Sequence, residues 1–252
     1  MDIVVISDNN NPVRRNNVVK IFEEKHVKFH FFNAIMANRM SEKEIAKAAV
    51  EHTFLSASEI GCALSHRTVY DEFLQSEHKS LVVCEDDICF TPDFSADVVA
   101  DVVDFVEESD EPRLVVLQKS IYHHKRVKKL DKGICIYSAR NAFLAHGYVL
   151  NRTAADNISR IQRPIRFEID AFKFYYWLDA CKLYCLDKDL ILQISEDIVP
   201  STVEKLWKAD RKSKKDASYK LIYNQLSLKG KLISQYRRLD KAIHKPFESL
   251  DY

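Results

Sequence analysis

Ile3 to Ile6 are four consecutive β-branched residues that stop at Ser7-Asp8-Asn9-Asn10-Asn11-Pro12, and this junction restricts the fold more than any other part of the chain. An uninterrupted apolar run of that length, closed by turn residues, reads as a strand buried on both faces. Pro12 suits the first turn of a helix, where its missing N–H costs nothing, and Val18, Val19 and Phe22 then recur on one helical face. A second strand, Val27 to Phe32, follows at once. Strand, helix and strand within about 30 residues make a βαβ unit of an open α/β sheet. In such sheets ligands bind beyond the carboxyl ends of the strands, so the loops after strands are where functional side chains should be sought.

The alternation continues. Ser58-Glu59 begins a long helix through Leu64, Val69, Phe73 and Leu74 that ends near His78, and Ser80 to Cys84 reads as the next strand. A helix is expected from about Pro92 to Glu108, a strand over Leu114 to Leu117, short strands near Ile134 and Tyr148, and helices near Ala154 and Ala171. The fold class is therefore α/β, a mixed sheet flanked by helices. At 252 residues one large domain suffices, taken here as residues 1–200. Only four glycines occur, with neither GxGxxG nor a P-loop, which argues against dinucleotide and ATP binding. The 38 Lys and Arg against 37 Asp and Glu leave no basic excess for a nucleic-acid partner. The six cysteines lie in apolar contexts without zinc or disulfide spacing and read as reduced core thiols. The N-terminal run is neither a signal nor an anchor, and no run approaches the ~20 apolar residues of a membrane span, so a cytoplasmic location is expected.

Residues 201–252 differ. From Lys205 to Lys245 roughly thirteen Lys/Arg stand against about three Asp, interleaved with Leu, Ile, Trp and Tyr. Such a helical basic tail either lies on the anionic inner face of the inner membrane, as a peripheral attachment, or packs on the domain with a solvated charged face. His123-His124-Lys125-Arg126 reads as a basic loop, solvated or gripping an anionic acceptor.

The chemistry centres on Leu81-Val82-Val83-Cys84 running directly into Glu85-Asp86-Asp87. Adjacent carboxylates at the end of a buried strand repel and desolvate one another unless a cation or hydrogen-bond donors compensate. Hard carboxylate oxygens suit Mn²⁺ or Mg²⁺, which keep positions open for phosphate oxygens. Strand alternation would point Glu85 and Asp87 one way, as the metal pair, and Asp86 the other. A solvated turn is the competing reading. Upstream, Glu59, Cys62 or Ala63, and His66 share one helical stripe. Gly61 costs a helix ~1 kcal/mol, so a close backbone approach is expected there.

The block Glu59-Ile60-Gly61-Cys62-Ala63-Leu64-Ser65-His66, followed by an apolar strand and Glu85-Asp86-Asp87, resembles glycosyltransferase family 25, the lipooligosaccharide galactosyltransferases of Gram-negative bacteria and the related collagen galactosyltransferases. Three weaker blocks agree in order. Asn11-Pro12-Val13-Arg14-Arg15 resembles the family's S-P-x-R-R, Phe32-Asn33-Ala34 its F-x-A, and Ala145-His146-Gly147-Tyr148-Val149-Leu150 its G-T-x-A-Y-L-I. The resemblance covers roughly residues 1 to 195 and leaves the tail outside. It implies a GT-A-like fold, a UDP-hexose donor (galactose expected), a lipooligosaccharide acceptor and inversion at the anomeric carbon. The donor site is then expected from Ser7, Arg14, Arg15, Ala34, Glu59, Gly61, Ser65, His66, Glu85 and Asp86, with Mn²⁺ or Mg²⁺ on Glu85 and Asp87.

An inverting transfer needs a base for the acceptor hydroxyl. Asp170, in a Pro164-to-Asp170 stretch that resembles the family's P-x-D region, is the expected base. Glu168 is its competitor, and capping of the next helix is the bland reading of Asp170. Ser7-Asp8 departs from the family's N-L, and His146-Gly147-Tyr148 fits its block imperfectly. Two other functions share these carboxylates: a metal-dependent nucleotidyltransferase or phosphohydrolase, and a non-catalytic scaffold with a membrane-binding tail.

Overall fold

In the computed structural model, which describes residues 2–194 and 210–243, the N-terminal apolar run is β1 (Ile3–Ser7), followed by α1 (Pro12–Glu24) and β2 (His30–Asn33). The chain continues through α2 (Glu42–Ala48), α3 (Ala57–Gln75), β3 (Ser80–Glu85), β4 (Ile88–Phe90), α4 (Ala96–Glu107), β5 (Arg113–Val116), β6 (His123–Lys129), β7 (Cys135–Ala139) and β8 (Gly147–Asn151). It ends with α5 (Arg152–Ile161), α6 (Phe172–Trp177), β9 (Lys182–Leu186), β10 (Ile191–Gln193), α7 (Arg211–Gln225) and α8 (Leu228–Ile243). Eight strands form one mixed sheet in the order β2-β1-β3-β8-β5-β9-β7-β6, and β4 pairs with β10 in a small second sheet. Strand β1 is parallel to both β2 and β3, while β8 inserts antiparallel between β3 and β5.

The continuous apolar runs are explained by the two cores. Val4, Ile6, Leu81, Val83, Leu114, Val116, Tyr148 and Leu150 face one core, which α3, α5 and α6 cover. Ile3, Val5, Val82, Cys84, Val115 and Val149 face the other, under α1 and α4. With both faces covered, alternation shows only in which core a residue joins, so each strand reads as uniformly hydrophobic. The six cysteines are free thiols.

Several expectations are corrected at their edges. Strand β2 starts at His30, because Val27 closes the end of α1 and is buried in the core there. Helix α4 starts at Ala96, where Ser95 accepts from the Val98 N–H at 3.3 Å, and Thr91 first bonds to Leu190 and Asp189. The stretch His123–Arg126 is no loop: it belongs to β6, an edge strand whose lysines and arginine hinder further strand pairing. Helix α2 was not foreseen, although Ser41 and Glu44 form a full capping box.

The tail helices pack on the same core. Tyr219 of α7 is buried in it, and its hydroxyl meets Ser234 of α8 at 2.7 Å. Arg237 donates to the carbonyls of Tyr176 at 2.6 Å and Cys181 at 3.0 Å and pairs with Asp179, while Asp240 pairs with Arg140. The expected boundary between residues 200 and 201 lies outside the described residues. Among the described residues no helix is long and apolar enough to cross a membrane.

Gly61 marks where α3 meets the segment after β2. A Cβ there would lie 2.4 Å from the Ile35 carbonyl oxygen and 2.9 Å from the Ala37 nitrogen, both backbone atoms with little freedom to move. Gly61→Ala should therefore lower stability by about 1–3 kcal/mol, against the ~1 kcal/mol gain that the change brings in an open helix. Urea unfolding of the two proteins reads the sign, and a gain in stability would contradict this packing.

Candidate active site

Register brings the site together. Parallel pairing sets Ile6 beside Glu85 and Ser7 beside Asn33, so the carboxyl ends of β1, β2 and β3 open on one side of the sheet. The first turns of α3, capped by Ser56 and Glu59, lie beneath them. The ends enclose a cavity of about 250 Å³ whose far wall is Leu144, Ala145 and Glu168 to Asp170.

The three carboxylates of the β3 end are compensated in three different ways. Glu85 lies 3.2 Å from His66 Nε2 and accepts from the Cys62 thiol at 3.6 Å. With Nε2 donating, Nδ1 accepts from the Tyr148 hydroxyl at 2.7 Å, and Tyr148 meets Tyr70 behind it. Burial pushes Glu85 up, but the His66 contact outweighs it and leaves the group below its ordinary value. Asp86 pairs with Arg14 at 2.7 Å and accepts from Ser7 Oγ at 2.8 Å. Asp87 accepts from Gln193 at 2.9 Å and lies 3.7 Å from Arg14. Burial first, then Glu85, pushes Asp87 up.

The alternation argument does not extend past the strand. Asp86 does not point away: all three carboxylates line the same cavity, because the chain turns after Glu85 and the strand geometry ends there. Ser7, Arg14, Ala34, Glu59, Ser65 and His66 also line it. Ser65 has a definite task, accepting from the Ile35 N–H and donating to the Gly61 carbonyl, each at 2.8 Å, which fixes the cavity wall on α3. Two expected donor-site residues are not in the lining. Arg15 lies on the outer side of α1, its guanidinium 3.9 Å from the Phe31 ring centre. Gly61 backs onto Ile35 and Ala37 and admits the wall without touching the cavity.

Glu168 and Asp170 lie close together in opposite electrostatic settings. Arg211 of α7 donates to Glu168 and to Glu59, each at 2.5 Å, and Lys215 lies 2.8 Å from Glu168. Burial raises Glu168, but these cations outweigh it and hold the carboxyl below its ordinary value. Asp170 has no ion-pair partner among the described residues and accepts from the Leu144 backbone N–H. Burial and then the Glu168 charge push it up. The cap of α6 is Ala171, without a side-chain bond, so Asp170 is not spent on capping. Leu144 itself stands at φ 62°, a left-handed conformation that is costly for leucine.

Sequence reasoning missed Arg211, Lys215, Gln193 and Leu144. Arg211 and Lys215 do carry a signal, since i and i+4 share one helical face. Nothing local marks Gln193, and a strained leucine has no sequence signature.

A hard divalent cation fits the acidic end. Asp87 Oδ1 is buried without a hydrogen-bond partner among the described residues, and its neighbours Glu85 and Asp86 add two further carboxylates. Ligand atoms of Cys62, His66 and Glu85 also lie within 4.8 Å of one another. Burial, then Glu85, holds the Cys62 thiol well above its ordinary value, so it resists becoming the thiolate a metal takes.

The chain matches the family described as Glycosyltransferase family 25 (LPS biosynthesis protein) over residues 1–173. A Glycosyltransferase 25 family member of Drosophila pseudoobscura pseudoobscura is 28% identical over 107 residues, covering 38% of this chain and 17% of the insect protein. The Lacto-N-neotetraose biosynthesis glycosyltransferase LgtB of Neisseria gonorrhoeae is 24% identical over 171 residues, 63% of this chain and 56% of that protein. The chain thus spans under a fifth of the insect relative and little more than half of the bacterial one. Among solved structures, the glycosyltransferase GlyE of Streptococcus pneumoniae TIGR4 aligns over 89% of this chain and 62% of its own, with TM-score 0.42 and 12% identity.

Arg14 is buried against two carboxylates, so removing its charge strands both. Arg14→Met should cost about 3–5 kcal/mol in urea unfolding, the usual penalty for breaking a buried pair from one side, and Arg14→Lys less. Equal losses for both variants would show that the site needs the shape of arginine and not its charge.

Proposed function

The chain belongs to glycosyltransferase family 25, and on that premise we propose that it transfers a hexose, galactose in our reading, from a UDP-sugar to a lipooligosaccharide acceptor with inversion at the anomeric carbon. The observation that carries this reading is one cavity with two acidic ends in contrasting environments. Glu85, Asp86 and Asp87 stand at the strand end, and Glu168 and Asp170 on the facing wall.

Pairs of carboxylates whose surroundings push them apart divide acid–base work between them. Glu168 is neutralised by Arg211 and Lys215 and has little basicity left to offer. Asp170, raised by burial and without an ion-pair partner among the described residues, is the better base, and it faces the cavity. In the transfer Asp170 takes the proton of an acceptor hydroxyl, the oxygen bonds to the anomeric carbon from the face opposite UDP, and the bond from that carbon to the diphosphate breaks. A divalent cation held by Asp87 and Glu85 would supply positive charge for the departing diphosphate. His66, fixed between Tyr148 and Glu85, keeps the Glu85 carboxylate turned to the cavity. The relative LgtB is named for lacto-N-neotetraose biosynthesis, which supports an oligosaccharide acceptor.

Titration calorimetry with UDP-galactose should show binding that is strengthened by Mn²⁺ and weakened in Asp87→Asn. Asp170→Asn should retain donor binding and lose about 10²- to 10⁴-fold in kcat, while Glu168→Gln loses less. The base works only when ionised, and Asp170 is raised above the ordinary 3.8. Activity should accordingly fall as pH drops through a value higher than that, and the Asp170→Asn residual rate should lack this limb. Absence of nucleotide-sugar binding under every metal condition would sink the transferase reading, and a kcat loss confined to Glu168→Gln would move the base.

A further inference from the structure

Helix α8 is packed with its polar side inward. At about 100° per residue, Leu228, Leu232, Tyr236, Leu239 and Ile243 fall within an arc of about 80°, and all five are between 58% and 77% exposed. The buried residues of α8 are Ser234, Arg237 and Asp240, in an arc centred about 140° round the helix from the stripe. Their contacts fix its rotation: Ser234 to the Tyr219 hydroxyl, Arg237 to two carbonyls and Asp179, and Asp240 to Arg140 and the Tyr176 hydroxyl. Turning the helix to bury its apolar stripe would break all of them. Single exposed apolar residues are ordinary on a protein surface, but a continuous stripe of five marks a surface that meets something apolar.

We propose that this stripe is the seat of an anionic lipid surface, on which α8 lies flat. Charge complementarity selects the occupant. Lys229 and Lys231 stand beside the stripe on α8, Arg238 folds back over the Trp177 and Tyr219 rings, and the single acidic residue of α8, Asp240, is buried in its ion pair. An apolar ridge rimmed by cations without exposed acid matches headgroups above acyl chains. A second copy of this chain would instead bring the same cations face to face. The inference builds on the lipid-linked acceptor proposed above, since an enzyme held flat on a membrane keeps its cavity near an acceptor anchored there.

Co-sedimentation of the whole chain with vesicles tests it. Phosphatidylglycerol-containing vesicles should bind the protein at low salt, pure phosphatidylcholine vesicles much less. The double variant Leu232→Glu, Leu239→Glu should lose at least about tenfold in vesicle affinity, with circular dichroism unchanged because both side chains are exposed. Calorimetric binding of UDP-galactose by that variant should equal wild type, which separates failure of the membrane seat from failure of the transferase reading. Three results would overturn the proposal: no binding to anionic vesicles, vesicle binding that the double variant leaves intact, or a dimer in light scattering that the variant dissolves.

Discussion

Three carboxylates in a row at the buried end of β3 create a local cost that much of the surrounding structure is arranged to offset. Each is met by a different element: Glu85 by Cys62 and His66 of α3, Asp86 by Ser7 of β1 and Arg14 of α1, Asp87 by Gln193 of β10. Helix α3 can come close enough only because Gly61 has no side chain to meet the Ile35 carbonyl. The compensation reaches into the core through His66, Tyr148 and Tyr70, which couples the cavity to β8 and to the middle of α3. It stops one bond short. Asp87 Oδ1 is left buried without a hydrogen-bond partner among the described residues.

This arrangement explains what was legible in the sequence. The βαβ start shows because β1 is apolar on both faces, and the Glu59-to-His66 block shows because a helix repeats its contacts every three to four residues. The direction of each carboxylate was not legible, because period-two alternation holds only while the strand lasts and β3 ends at Glu85. Arg14 and Arg15 are neighbours of one type, and only the rotation of α1 sends the first to Asp86 and the second to Phe31. Strand β6 was misread for a related reason: an edge strand that keeps itself from pairing with lysine and arginine has the composition of a solvated loop.

The basic region beyond the matched residues reaches the walls of the cavity. Arg211 joins Glu59, from the first turn of α3, to Glu168 on the opposite wall, and so ties the two sides of the cavity together. Asp170 and Glu168 are two residues apart and similar in the sequence. Their difference comes from α7, which pairs Arg211 and Lys215 with Glu168, while Asp170 has no ion-pair partner among the described residues and the pull of Lys215 on it does not overcome burial. A reading confined to residues 1–173 would miss the contrast between the two carboxylates.

The two tail helices also show why composition alone could not say what the tail does. Both are rich in lysine and arginine, yet α7 turns Arg211 and Lys215 inward to a carboxylate, while α8 turns Arg237 and Asp240 inward and its leucines outward. Burying charge is tolerable in α8 because each buried group meets a fixed partner, and the guanidinium of Arg237 also covers the open carbonyls of Tyr176 and Cys181. Those partners were set by the α6 end and the turn at Asp179, not by the tail. A helix anchored by such specific polar contacts has given up burial of its apolar face. The exposed ridge is thus the consequence of how the tail is held, and its leucines remain available to a surface outside the fold.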